Sequence, residues 1–433
     1  MRLILLSGGS GKRLWPLSSD ARSKQFLKVL LNENGQYESM VQRIWRQLGR
    51  AGLSGNAHIV ANVSQREMLL NQLGSQVRII VEPSRRDTFP AISLAVTYLL
   101  EYEKVDPAEP IVILPVDSFV EDEFFRNIKL LDQILEQADF EMALIGAKPT
   151  YPSAKYGYIS VGKKEGPYYQ VNRFTEKPTE SVAEHLLRQG ALWNCGIFAF
   201  RGQLILDQLR LRNLPHRYSD LFENYEVLPK ISFDYAVAEK LSRMAVVPYE
   251  GYWKDLGTWN TLTDELGGSI IGNGELDHLC ENTHVLNELS LPVKVMGISN
   301  AVIAVSSDGI LVADKIASQR LKDMLADESG QRTTYEERYW GWYRVLDHAV
   351  HPDREVLTRR LMIYGQRTYS EPIADNQTEV ITVVTGKGML ELDDELIPIQ
   401  AGDVLTIRNR NARTIHASHD IECIQLQIIR FER

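Results

Sequence analysis

Apolar and polar positions along the 433-residue chain fall into two regimes. Up to residue 263, short apolar runs alternate with stretches of helical period. Arg2–Ser7, His58–Ala61, Val77–Val81, Ile111–Pro115 and Met142–Ala147 read as buried strands. Tyr37–Leu48, Ser64–Leu73 and Ala91–Tyr102 read as helices between them. This βαβ alternation predicts an α/β domain, with a mostly parallel mixed sheet and helices on both faces. Beyond residue 263 the helical period fades. Residues 271–314 form short β-rich runs broken by Gly and Asn, and 315–326 have a helical pattern. Gly330 to Thr334 read as a linker. From Glu336 to Arg433 the pattern is all-β, with runs at Arg360–Tyr364, Glu379–Val384, Gly388–Leu392, Val404–Arg408 and Glu422–Ile429. Gly386, Gly402 and Asn411 mark its turns, and a small barrel or sandwich is expected. The expected division is 1–263, then a β-rich connector over 264–329, then 335–433.

Composition is that of a globular protein, with 44% hydrophobic and 24% charged residues. A net charge of −9 argues against general binding of nucleic acid or a membrane surface. An anionic substrate must therefore meet local cations. No apolar run is long enough to span a bilayer, and the N-terminal run is too short for a signal peptide. Cys195, Cys280 and Cys423 do not make a disulfide framework. A cytoplasmic protein is expected.

The first strand runs into SGGSGKRLWPLS, followed by Lys24-Gln25-Phe26. Gly8, Gly9 and Gly11, with Ser10 among them, let backbone N–H groups approach a phosphate closely. Arg13 and Lys24 add cations. The turn is no P-loop, because Gly-Lys-Ser/Thr is missing at that spacing. Nor is it the dinucleotide fingerprint, since Leu14 stands where a further Gly or Ala belongs. A glycine turn can also do no more than close a βα connection. The cations favour a triphosphate.

Asp117 follows the apolar run of ILPVDSF, where a carboxylate could hold Mg2+ or cap the next helix. Asp255, between two tryptophans in GYWKDLGTWN, is a second metal candidate or a solvated turn residue. Two such carboxylates from separate strands support one another as a metal site. In FTEKP, Lys177 could neutralise a substrate phosphate and Glu176 could accept from sugar hydroxyls; Glu-Lys-Pro is also a common surface turn. Asn194 in LWNCG offers donors and acceptors to a sugar ring, or satisfies backbone in a turn. Cys195 reads as a small packed residue, with no His nearby in sequence.

Taken in order, these motifs resemble one family. EPSRRDTFPA, LPVD, KYGYI, FTEKP, LWNCGIFAF, FDYAVAEK and KDLGTW, with the glycine turn, are similar to the mannose-1-phosphate guanylyltransferases of the bacterial type that carries a C-terminal cupin. The resemblance implies transfer of a guanylyl group from GTP to mannose-1-phosphate, with Mg2+. It implies that Gly8 to Arg13 cradle the triphosphate, and that Arg13 and Lys24 stabilise its charge and that of the leaving pyrophosphate. Asp117 and Asp255 match its Mg2+-binding aspartates. Glu176 and Asn194 would hold the mannose ring, Gly157 would let backbone approach its hydroxyls, and Lys177 would take its phosphate. Glu82, Arg86 and Thr88 lie in the stretch similar to the nucleotide-binding segment.

The chain also departs from the family. Asp87 replaces a usual Asn, Phe89 a usual Ala, Ser118 a common His and Ser23 a common Pro. Asp87 and Phe89 could alter the nucleotide or sugar pocket. Trp340-Gly341-Trp342-Tyr343 resembles the start of the phosphomannose isomerase cupin of bifunctional relatives. The stretch Ile373 to Thr378 before Glu379 holds no His, whereas a cupin isomerase needs imidazoles there for its metal. His416 and His419 read as a surface loop pair. The expectation is a C-terminal domain without isomerase activity that serves structure, dimerisation or regulation. A homodimer paired through the β-rich tail stays open. So do the same chemistry on another sugar-1-phosphate or nucleotide, and a non-catalytic regulator that binds nucleotide sugars.

Overall fold

The computed structural model describes residues 1–9, 11–19, 22–325, 334–393, 395–408 and 412–431. Ser10, residues 330–333 of the expected linker and the expected turn at Asn411 lie outside the described residues. The chain divides into two compact units. One comprises Met1–Ser10 and Ser23–Gly267, the other Gly11–Arg22 and Gly268–Arg433.

The first unit is built on a nine-stranded sheet. Its order is Arg78–Glu82, Ala57–Asn62, Arg2–Leu6, Pro110–Pro115, Leu192–Arg201, Met142–Ala147, Met244–Tyr249, Tyr168–Thr175, Tyr158–Glu165. The first four strands are parallel. Leu192–Arg201 runs antiparallel to both its neighbours, so the sheet is mixed. Alternate side chains of each strand enter opposite layers. Leu3, Leu5, Val112 and Leu114 pack with helices Met40–Arg50, Val63–Leu73 and Phe124–Gln137. Ile4, Ile111 and Ile113 pack with Thr88–Glu101 and Gly202–Leu211 on the other face. Burial on both faces explains why these strands read as continuous apolar runs.

Helix starts depart from the sequence expectation where capping decides. The helix expected from Tyr37 begins at Met40, because Ser39 forms a capping box with Gln42 while Tyr37–Glu38 are extended. The one expected from Ala91 begins at Thr88, whose N–H donates to Asp87 Oδ1 at 2.7 Å.

In the second unit, Ile270–Ile271, His284–Asn287 and Ala301–Ser306 stack in parallel, and Gly309–Asp314 closes that sheet antiparallel. The expected helix over 315–326 is a 3-10 turn at Ala317–Arg320 and one α-turn at Leu321–Met324. The described residues from Tyr335 onward form a six-stranded and a four-stranded antiparallel sheet around Leu361, Tyr369, Ile381, Leu390, Ile415 and Cys423, a β-barrel with one core. Residues 11–22 group with this unit. Arg22 Nη1 pairs with Glu288 at 2.7 Å, Ser306 Oγ donates to Pro16 O at 2.8 Å, and a Cβ on Gly309 would strike the Trp15 ring. No helix among the described residues is long and apolar enough to cross a membrane.

Candidate active site

The carboxyl ends of the parallel strands carry the candidate chemistry, where α/β sheets place ligands. Ser7 leaves the first strand and is fixed by its N–H to Val60 O at 2.9 Å. Gly9 has φ +114°, which favours glycine. Gln25 is buried and donates to Ser7 O at 2.8 Å and to Ser7 Oγ at 3.2 Å. Ser23 accepts from Gln65 Nε2 at 2.9 Å, and its hydroxyl lies 3.5 Å from Gly9 O. Both arms of the turn within the first unit are thus stitched together. Arg13 sits exposed on the 3-10 turn Gly11–Leu14, which belongs to the second unit.

Asp117 and Asp255 come together although 138 residues separate them. The short strands Ser118–Val120 and Trp253–Asp255 pair antiparallel, with Asp255 opposite Ser118. Lys24 Nζ sits 2.7 Å from Asp117 Oδ2 and 3.6 Å from Asp255 Oδ1. Two hard carboxylates beside a cation and below a glycine turn form a donor set that suits Mg2+ completed by water and phosphate oxygens. Among the described residues no group of three or more His, Cys, Asp and Glu gathers.

A second cluster gathers Gly157, Glu176, Lys177 and Asn194. A Cβ on Gly157 would lie 2.5 Å from Glu176 Oε2 and 3.2 Å from Asn194 Cβ, so any side chain there would force the Glu176 carboxylate to shift. Asn194 N donates to Gly157 O at 2.8 Å. A strand irregularity just after Asn194 turns its amide inward, and Oδ1 accepts from Gly196 N at 2.9 Å. Lys177, at φ +43°, brings Nζ to 2.8 Å from Glu176 Oε1. Glu176 Oε2 is buried without a hydrogen-bond partner, an acceptor with unused capacity. Burial holds the Glu176 carboxyl above its ordinary range against the pull of Lys177.

Glu82, Arg86 and Thr88 bind the protein's own 225–233 stretch. Tyr225 Oη donates to Glu82 Oε2 at 3.1 Å, Arg86 Nε donates to Leu228 O at 2.7 Å, and Thr88 Oγ1 accepts from Phe233 N at 2.8 Å. Burial pushes the Glu82 carboxyl up to about 7. Phe89 is fully buried in the core. Asp87 takes φ +72°, a conformation that side chains rarely adopt. Burial pushes the Cys195 thiol up, as for a packed residue.

In the barrel, buried Arg413 donates from Nε to Glu379 Oε1 at 2.7 Å, and Gln425 Nε2 donates to the same oxygen. Glu379 is therefore an ion-pair partner. His416 lies on the strand Ala412–Ala417 beside Glu391, at 2.7 Å, rather than in a loop.

Sequence reasoning assigned no role to Asp234, though it quoted the FDYAVAEK stretch that contains it. Asp234 Oδ1 accepts from Asn194 Nδ2 at 2.8 Å. The second carboxylate it missed is Glu239, which accepts from Glu176 N at 2.7 Å.

A family model described as nucleotidyl transferase matches residues 2–267. The chain is 31% identical to the xanthan biosynthesis protein XanB of Xanthomonas campestris pv. campestris, over 91% of this chain and 88% of that one. It is 29% identical to a putative mannose-1-phosphate guanylyltransferase of Vibrio cholerae, over 88% and 86%. Among solved structures it is similar to the mannose-1-phosphate geranyltransferase of Thermus thermophilus, at 29% identity and a TM-score of 0.64. That match covers 76% of this chain and 99% of the other.

Proposed function

The chain belongs to the nucleotidyl transferase family, and on that premise we propose that it transfers the guanylyl group of GTP to mannose-1-phosphate, forming GDP-mannose and pyrophosphate. The observation that carries this reading is Lys24 set between Asp117 and Asp255 beside the glycine turn. Gly8 and Gly9 line the triphosphate. A phosphate oxygen of mannose-1-phosphate attacks the α-phosphorus in line. The new O–P bond forms as the bond to the β-phosphate oxygen breaks, and pyrophosphate leaves with that electron pair. The nucleophile is already ionised at neutral pH, so no general base is needed. The work is alignment and charge neutralisation. Lys24 neutralises the triphosphate, Lys177 takes the sugar phosphate, and Glu176, Asn194 and the Gly157 backbone hold the ring. Asp117 and Asp255 would hold Mg2+, which supplies Lewis-acid charge to phosphate oxygens. Glu82, Arg86 and Thr88 shape the nucleotide side.

The C-terminal barrel serves structure, dimerisation or regulation and lacks isomerase chemistry, a reading supported by the bond of Arg413 to Glu379. The division into a transferase domain over 1–263, a connector over 264–329 and this barrel over 335–433 is part of the same reading. Three free cysteines fit a reducing, cytoplasmic setting.

Pyrophosphate release, measured with Mg2+ across a panel of nucleoside triphosphates and sugar-1-phosphates, tests the function. The expected preference is GTP with mannose-1-phosphate, abolished by Asp117→Asn or Asp255→Asn. A preference for another pair would reassign the substrate. No turnover with any pair would leave a binding protein.

A further inference from the structure

The sugar-side cluster is crowded with acids. Glu176 and Asp234 flank Lys177, with Tyr235 beside it, and Glu239 and Asp87 face Glu176. An anionic sugar phosphate has to enter this cluster. The Asn194 amide has two donor hydrogens and two acceptor lone pairs. Gly196 N–H takes one lone pair and Asp234 Oδ1 takes one hydrogen. These two bonds fix which end of the amide faces which way, leaving one donor and one acceptor for a ligand. Glu176 Oε2, buried and without a partner, opens beside them against Gly157.

We propose that Asp234 is a positioning residue of the sugar-phosphate pocket, which sets the orientation of the Asn194 amide and holds a proton while the anion is bound. The inference rests on the reading of this cluster as the sugar-phosphate site. Its second half follows from charge. Burial, then the Glu176 charge, lifts the Asp234 carboxyl well above its ordinary range, against the opposing pull of Lys177 and Asn194. An incoming phosphate favours the neutral acid further, because it adds negative charge to a pocket with one lysine. Sugar-phosphate binding is therefore stronger at the acid end of the neutral range and weakens as pH rises and the cluster loses its proton.

Two variants separate positioning from protonation. Asp234→Asn keeps an oxygen to accept from Asn194 but cannot ionise. Asp234→Ala removes the acceptor. KM for each substrate and the calorimetric Kd of mannose-1-phosphate are measured from pH 6.5 to 8.5. For Asp234→Ala, KM for mannose-1-phosphate should rise about tenfold while KM for GTP stays within about twofold. The wild-type sugar-phosphate KM should rise about tenfold over this range, and that of Asp234→Asn should stay near the low-pH wild-type value. Ionisation of the substrate phosphate is common to both proteins and cancels in their ratio. Asp234→Asn with the wild-type slope, or Asp234→Ala with an unchanged sugar-phosphate KM, would overturn the proposal. If turnover is absent but Kd is measurable, the reaction reading falls while the Kd ratios still decide the role of Asp234. No binding at all overturns both.

Discussion

Replacing Gly157 by Ala tests the sugar-side geometry most directly. The added Cβ would lie 2.5 Å from Glu176 Oε2, and 3.2 Å from both Asn194 Cβ and Phe174 Cζ. Ordinary contact begins near 3.4 Å, so the Glu176 carboxylate must retreat by about 0.9 Å. Phe174 is buried and Asn194 is held at both ends of its amide, so neither yields easily. Overpacking of this kind costs about 1–3 kcal/mol. In a domain of this size that is a Tm loss of roughly 2–10 °C. The oxygen that moves is the unpartnered one, the acceptor assigned to a sugar hydroxyl. A displacement near 1 Å in a positioning group lowers the rate about 100-fold. Pyrophosphate release with mannose-1-phosphate varied at saturating GTP should therefore show kcat/KM reduced by about that factor. KM for GTP should stay near wild type. A Gly157→Ala enzyme with wild-type kcat/KM for the sugar phosphate would refute the placement of the ring against Gly157 and Glu176.

Lys24→Ala should slow turnover by about 10²–10³, the usual loss for one electrostatic stabiliser; a steady-state rate within a few-fold of wild type would count against its role. Glu82 should make the first unit less stable as pH rises. Its carboxyl is raised by burial from 4.5 to about 7, so its contribution is complete below the lower value and lost as pH climbs through the upper one. Glu82→Gln should abolish that slope and gain up to about 3 kcal/mol near pH 8, read from thermal unfolding at pH 5 and 8; parallel pH profiles would exclude the assignment. Arg413→Met leaves Glu379 buried without its cation and should cost the barrel about 3–5 kcal/mol, with Arg413→Met/Glu379→Met recovering much of it. A single variant as stable as the double would show that the pair is not coupled.

Much of the site was legible because its chemistry is concentrated in short segments. The glycine turn, Lys24, FTEKP and LWNCG each put backbone conformation and a charged or amide group within a few residues. The barrel was legible from alternation, as in Ile421–Arg430, where buried and half-buried positions alternate. Glu82, Arg86 and Thr88 were legible as a cluster, but their partners were not. Tyr225, Leu228 and Phe233 lie far along the chain, and only the packing of that stretch against the helix Thr88–Glu101 supplies them. Phe89 shows the same limit, since helix phase sends it into the core.

The sequence by itself determined the kinds of element, the glycine turn and the chemical groups available, because period, glycine and charge are local properties. Only the tertiary structure decided which groups share a site. Pairing of Ser118–Val120 with Trp253–Asp255 sets Asp117 beside Asp255, and Lys24 bridges them. Folding also brings the Asn194 amide to Asp234, 40 positions along the chain, a partnership that FDYAVAEK by itself does not announce. Residues 11–22 follow the same rule. They read as one motif with Gly8 and Gly9, yet they pack with the β-rich unit through Arg22, Pro16 and Trp15. Contacts between distant segments depend on register and packing, which no local pattern encodes.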